Sequence, residues 1–472
     1  MRQIRKMYNG YAIELALSLF GFTAGMEMYS YISLKNFNIF ATFYKFPTKI
    51  EENLLKSSNV MGAIGGGIIG GEIAEHFGFL KALKCLCLVW IIGVMLCFIS
   101  ESIPMLIIGK AIKGVAIGIS TATIPVYQHE IIPSKRRGRM LTLFIFSTCL
   151  GNCFMFILPM ICLPQLKGFQ YLILHWLIDL IPLSFASLAI LFVPESPKFL
   201  AENSKWSRAA DVIESIEANN SGQVSANKLN SERGKLGDKH FVIKKYPTAN
   251  IKTCSMNNLF GKKYIKEIST GILLQLLVDF IGITKLVECF NYICFACQIK
   301  SLNELKMVQT FDLVIRTVFM LVPILIIDAM RRKDVFVFDW VLKVEFFDET
   351  ASLVLALTIF MDIVCNAIVL PSCWLFIIEN FSSTSRMRGW VVITSLHWLF
   401  ECSLSLIFPF LLSHLNGWLF FIIVFICLFG TGFSCFITET KDKSYIEACP
   451  RSEPIEKPKS NELRFKDTHD LK

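Results

Sequence analysis

The sequence predicts an all-α membrane protein of twelve transmembrane helices arranged as two six-helix bundles. Three observations carry that prediction. Of 472 residues, 54% are hydrophobic and only 18% charged, whereas a soluble protein carries about a quarter charged residues. Mean hydropathy is +0.53. Apolar stretches recur from Tyr11 to Phe436, several near the roughly 20 residues that cross a hydrocarbon core as helix. They fall as six, a long polar stretch, and six more.

The basic start MRQIRKMYNG precedes an apolar segment too long for a signal peptide and without a small-residue cleavage site, so it reads as the first span. Spans one to six are placed at roughly 11–33, 57–77, 85–100, 104–129, 140–163 and 171–193 by apolar run length. Residues 194–263 are polar, and NNSGQVSANKLNSERGKLGDKH within them is poor in aromatics. That composition predicts a mobile linker without a core of its own, with short helices at its ends. Spans seven to twelve are placed at roughly 264–297, 307–328, 334–347, 350–380, 389–411 and 417–437. The expected domains are therefore residues 1–193, 194–263, 264–440 and a tail, 441–472. Span nine, DVFVFDWVLKVEFFD, is short and holds Asp339, Lys343 and Glu345, so mismatch with the bilayer is expected there.

The net charge of +9 lies mostly in loops flanking spans and is no nucleic-acid signal. Lys81, Lys84, Lys135 to Arg139, Arg331 to Lys333, Arg386 and Arg388 fall on alternate loops, which places both termini and the linker in the cytoplasm. Lys35, Lys45, Lys49 and Lys56 after span one run against that rule. The 16 cysteines sit mostly inside apolar segments, where a thiol behaves as a small hydrophobe. No metal-ligand spacing and no catalytic grouping emerges, so neither a metal, a cofactor nor an enzyme is expected. GAIGGGIIGG at 62–71 lacks a following Lys-Ser/Thr and reads as a close helix-packing face rather than a phosphate cradle.

The stretch IPVYQHEIIPSKRRGR, residues 124–139, ends an apolar run in Glu130 and then crowds Arg136, Arg137 and Arg139 together. A carboxylate there can tie neighbouring helix ends through guanidinium groups, or it can simply be solvated beside positive-inside charge. WLFIIENFSSTSRMRG, residues 374–389, repeats the plan with Glu379, Arg386 and Arg388. GEIAEHFG and IIDAMRRK likewise each set an acid, Glu75 or Asp328, at a cytoplasmic helix end, with Arg332 beside the second. Repeated placement in two halves favours the tie, as in carriers built from repeats.

At these residues the chain resembles the sugar porter family of the major facilitator superfamily, particularly its fungal hexose-transporter branch. Gly114, Gly118, Pro125, Tyr127, Glu130, Pro133, Arg137 and Gly138 fall at the family's spacing, with VPESPKFL (193–200), GIT (282–284), TSLHWLFECSLSLIFP (394–409) and ITETKDKSYIE (437–447) in order. The resemblance implies a multi-pass carrier of a hexose or related polyol, in the plasma membrane, working by alternating access. It implies gating roles for Glu75, Glu130, Arg137, Asp328, Arg332, Glu379, Arg386 and Glu439. It also implies solute contacts from Gln275, Asp279, Thr284, Trp374, His397 and Trp398.

The departures are informative. The family's span-five Gln is Ile145, its span-seven Gln pair is Val278 and Asp279, its Asn is Thr284, and its span-eleven Asn residues are His397 and Glu401. Each lost amide leaves a polar partner unmatched at about 1–3 kcal/mol, which argues against ordinary tight glucose recognition. Thr23 stands where proton-coupled members carry Asp, so facilitated diffusion is expected. Gly78 is followed by Phe79 and Leu80 where the family has two arginines, so Glu75 lacks its nearest partners, with Arg137 a candidate still able to reach it. Asp279, Lys285, Glu288, Asp312 and Arg316 inside spans each cost about 2.5–3.5 kcal/mol at mid-membrane, so they should pair or face a cavity. A sugar receptor that does not transport, and an inactive paralogue, remain alternatives to a carrier.

Overall fold

The computed structural model describes residues 9–36, 44, 47–133, 136–162, 168–221, 233–234, 236–245, 256–262, 264–281, 301–328 and 365–415, with a few isolated positions between 425 and 433. Among these, every regular element is helical. The first half comprises α1 (Gly10–Asn36), α2 (Lys49–Phe77), α3 (Phe79–Phe98), α4 (Ile103–Ile131), α5 (Arg137–Cys162) and α6 (Gly168–Ile190). The middle segment supplies α7 (Pro197–Glu202), α8 (Trp206–Ser221), α9 (Asp238–Lys245) and α10 (Met256–Leu259). The second half supplies α11 (Ile265–Ile281), α12 (Leu302–Phe319), α13 (Leu321–Ile326), a π turn over Cys365–Val369, α14 (Leu370–Asn380) and α15 (Arg386–Leu415). Span nine, most of span twelve, Lys285, Glu288, Thr284, Arg332 and Glu439 lie outside the described residues.

Among the described residues six helices are long and apolar enough to cross a membrane: α3, α4, α5, α6, the α12 to α13 stretch and α15. Helices α1 and α2 fall outside that class because polar residues, Glu14, Glu27, Ser57 and Asn59 among them, lower their hydropathy; those four side chains are buried.

Two boundaries differ from expectation. Helix α2 begins at Lys49 rather than near 57, so Lys49 and Lys56 are helical and not loop residues. Thr48 and Glu51 form a reciprocal capping box there, with Glu51 and Glu52 in the first turn, and both features satisfy and neutralise a helix start that apolar periodicity cannot register. Helix α3 begins at Phe79 rather than 85. Gly78, at φ 98°, breaks the chain there. Its side-chain cap is remote: Glu195 accepts from the N–H groups of Phe79 at 3.1 Å and Leu80 at 3.3 Å. An anion at that helix start is favourable, although burial raises the Glu195 carboxyl above its ordinary pKa.

The described parts of the middle segment are the short helices expected there, and they bury apolar side chains. Val212, Ile213 and Ile216 of α8 are buried, as are Phe241 and Val242 of α9. Arg233 ties the pair through Asp211 at 2.8 Å, Glu214 at 2.9 Å and Asp238 at 2.7 Å.

The glycine-rich run is a packing face. Helix α2 lies backbone to backbone on α4, so that a Cβ on Gly66 would stand 2.0 Å from the Val115 carbonyl oxygen and one on Gly114 would stand 2.1 Å from that of Asn59. No other residue permits that approach. The neighbouring face of α2 meets the second half, where a Cβ on Gly71 would stand 2.2 Å from Val391 of α15. Helix α1 packs on α5, α3 on α4, α11 on α15, and α12 on α5. The last contact and that of α2 with α15 join the two halves.

A buried charge cluster lies within the first half. Glu27 of α1 takes Lys110 of α4 on one oxygen at 2.5 Å and Lys113 on the other. Lys113 continues to Asp179 of α6 at 3.1 Å and lies 4.4 Å from the Trp176 ring centroid, while Lys110 donates to Ser30 at 2.8 Å. Two lysines meet two carboxylates, so the cluster is neutral as a whole. Sequence reading did not single these four residues out.

Candidate functional site: a central cavity and a charged clasp

A cavity of about 290 Å³ lies between the halves. The first half contributes Ala24, Met28 and Tyr29 from α1, Asn59 from α2, Thr121 from α4, and Phe144, Ile145, Thr148 and Asn152 from α5. The second contributes Val278 and Asp279 from α11, Arg316 from α12, Trp374 from α14, and His397, Trp398 and Glu401 from α15. Four expected solute contacts, Asp279, Trp374, His397 and Trp398, thus share one wall. Gln275 stands one turn behind Asp279, and Thr284 lies outside the described residues. Ile145 and Val278, apolar where the family has amides, do face the cavity. Asn59, Thr121, Thr148 and Asn152 were missed by sequence reading. The available signal was a polar side chain inside an otherwise apolar span.

Helix spacing builds the polar wall. Gln275 and Asp279 are four apart on α11, and Gln275 Nε2 donates to Asp279 Oδ1 at 2.7 Å. His397 Nδ1 donates to the same oxygen at 2.8 Å across the α11 to α15 seam. Asp279 Oδ2 is buried without a hydrogen-bond partner. The indole rings are fixed from the other half: Trp398 Nε1 donates to Thr121 Oγ1 at 3.1 Å, and Trp390 Nε1 donates to the Thr121 carbonyl at 3.0 Å. Trp374 packs edge-on to Trp390, with centroids 5.5 Å apart. Arg316 is held by Asp312 at 2.7 Å, four residues away on α12, the expected charge pairing within a span.

At the basic end of the bundle, ion pairs join the halves. Glu75 of α2 pairs with Arg388 of α15, Nε to Oε2 2.6 Å. Arg388, rather than the candidate Arg137, fills the place of the arginines absent after Gly78. Asp328 accepts from the Arg139 backbone N–H at 3.2 Å on both oxygens, with Nε of Arg139 at 3.9 Å. Lys198 Nζ donates to the Ser383 carbonyl at 2.6 Å and lies 3.6 Å from Glu130. Glu130 also accepts from Ser196 Oγ. Arg137 Nε donates to the Ile132 carbonyl at 3.1 Å. Arg386 donates to the Ile378 and Phe381 carbonyls at 3.0 and 3.1 Å, closing the C-terminal end of α14, which ends one residue past the half-buried Glu379. A guanidinium suits the carbonyls left open there.

Two helical halves with a cavity between them and ion pairs joining them at one end are the arrangement of a membrane carrier of the major facilitator fold. The chain belongs to the family described as sugar (and other) transporter, whose model matches residues 11–450. It is 22% identical to the high-affinity glucose transporter of Kluyveromyces lactis, covering 85% of this chain and 77% of that one. It is 26% identical to the D-xylose transporter of Levilactobacillus brevis, with 85% and 88% covered. Among solved structures, the proton:xylose symporter XylE bound to 6-bromo-6-deoxy-D-glucose matches with a TM-score of 0.75 at 20% identity, over 93% of this chain and 98% of that one. The inward-open structure of the Escherichia coli xylose transporter XylE gives 0.63 at 19% identity, over 93% and 99%.

Proposed function

We propose that this sugar-family carrier moves a hexose or a closely related polyol by alternating access, with the cavity as the solute site. The observation that carries the reading is a polar and aromatic cavity wall assembled from both halves, with ion pairs between the halves at the basic end of the bundle. The glucose and xylose relatives support the solute class. Trp374 and Trp398 offer flat apolar faces to a sugar ring, and Asp279, Thr121, Asn59 and Asn152 offer hydrogen-bonding groups to its hydroxyls. Glu75 with Arg388, and Asp328 with Arg139, act as the clasp. Glu130, Arg137, Glu379 and Arg386 brace the helix ends that carry it, together with Arg332 and Glu439. The loop charges support a cytoplasmic clasp and cytoplasmic termini, and the family supports the plasma membrane. The domain division at residues 193, 263 and 440 is part of the same proposal. Thr23, whose hydroxyl is turned to the Phe20 carbonyl at 2.9 Å, supports facilitated diffusion.

The test is uptake of labelled hexoses and polyols by cells stripped of their own hexose carriers. Saturable uptake that falls sharply in Trp374→Ala, with surface protein unchanged, is the expected result. No uptake of any hexose or polyol from a surface-located chain overturns it.

A further inference from the structure

Three hydrogen-bond acceptors at the cavity are unmet, and Arg316, the donor beside them, is held by Asp312. Asp279 Oδ2, Asn59 Oδ1 and Asn152 Oδ1 are buried without hydrogen-bond partners, and all three residues line the cavity. Each is an acceptor. A neutral hexose hydroxyl both donates and accepts, which is why paired amides serve it well; acceptors alone select a ligand rich in N–H or O–H donors.

The charges point the same way. Lys56 and Arg316 are the cations among the lining residues, and Asp279 and Glu401 the acids. Arg316 is engaged by Asp312, and Lys56 acts on Glu52 in the first turn of α2, beside Lys35. Counting Asp312, three acids stand against the two cations of the wall, and His397 reaches only Oδ1 of Asp279. Glu401 lies one turn beyond His397 on α15, and its charge bears on Asp279. A buried carboxylate in a weakly polarisable cavity is stabilised by a counter-charge. An ammonium supplies one, together with N–H donors to a carboxylate, the stronger class of hydrogen bond. Trp374 and Trp398 lie on the same wall, and indole faces attract such a cation.

We infer that the preferred solute carries a protonated amine as well as hydroxyls, as in an amino sugar, with the ammonium at Asp279 and the ring between the two tryptophans. This deepens the carrier reading and rests on it. Two of the family's amide positions hold acids here, Asp279 and Glu401, so the site exchanges breadth toward neutral hexoses for a charge match.

The experiment compares labelled D-glucose, 2-amino-2-deoxy-D-glucose and its N-acetyl derivative in cells lacking their own hexose carriers and expressing the full chain. The amine is expected to half-saturate uptake at a concentration about tenfold below glucose, the factor a single charge-assisted contact supplies. N-acetylation, which removes the charge and keeps the ring, is expected to erase that advantage. Asp279→Asn is expected to bring amine and glucose to the same half-saturation, and Glu401→Gln to narrow the gap. Equal handling of the amine and glucose by the unaltered chain overturns the inference and leaves the carrier reading standing. So does an Asp279→Asn variant that keeps the preference. Failure to take up any of the three, with protein at the surface, overturns both.

Discussion

Two clusters of buried charge, one in each half, are built from similar residues and differ in whether they reach the cavity. In the first half, Glu27, Lys110, Lys113 and Asp179 compensate one another, stand outside the cavity lining and use both Glu27 oxygens. In the second half, Gln275 and His397 both serve a single oxygen of Asp279, and the other oxygen stands at the cavity without a partner. The first arrangement holds three helices together. The second holds an acceptor ready for something that is not protein. Asp179 Oδ1 is likewise buried without a hydrogen-bond partner, so access to the cavity is what distinguishes the two.

The sharpest way to break this comparison is Glu27→Ala. It strands two buried lysines with Asp179 as the remaining acid, and breaking a buried pair costs about 3–5 kcal/mol; a large fall in detergent melting temperature and surface yield is expected. A neutral outcome would remove the structural role from the first cluster. Next in size is Gly66→Ala, whose methyl would meet the Val115 carbonyl and cost about 1–3 kcal/mol by overpacking. Gly65→Ala, with nothing within 4 Å of the added methyl, should instead gain about 0.5–1 kcal/mol from helix propensity. Their difference in melting temperature tests the α2 to α4 contact.

Asp279→Asn sharpens the comparison from the other side. It keeps the shape and removes the charge, so stability should move by no more than about 1 kcal/mol, while half-saturation for the preferred solute rises. Glu75→Gln loosens the clasp, and Cys149, a cavity residue, should then react about three- to tenfold faster with a membrane-impermeant thiol reagent applied from the clasp side, the effect of losing roughly 1 kcal/mol of closure. An unchanged rate would separate the ion pair from gating.

The smallest expected effect concerns Glu202 in α7. Burial, opposed by Lys198 and reinforced by Glu130 and Glu75, pushes its carboxyl up to about 7. A carboxyl raised on folding binds its proton more tightly in the folded chain, so its contribution is most favourable below the ordinary carboxylate range and declines as pH rises to about 7. Glu202→Gln should therefore gain stability over the parent above that pH and lose the advantage below about 5, read as the difference in melting temperature across the range.

Much of the fold was legible beforehand because apolar run length is a local property. The ends of α4, α5 and α15 fall within a few residues of expectation. The starts of α2 and α3 did not, since a capping box is polar and the Glu195 cap comes from 116 residues away. In the site, Trp374, His397, Trp398 and Asp279 were found through family spacing. Asn59 and Asn152 escaped because nothing in their neighbourhood marks them apart from polarity.

What the sequence determined alone is the membrane, the helices and the placing of acids at helix ends, all set by residues close together along the chain. Which acid meets which base was decided by tertiary structure. Glu75 takes Arg388 from the far half, and Lys110 finds Glu27 across 83 residues. Coulomb and hydrogen-bond energies depend on separation in space at a few ångströms, and only the packed helices set that separation.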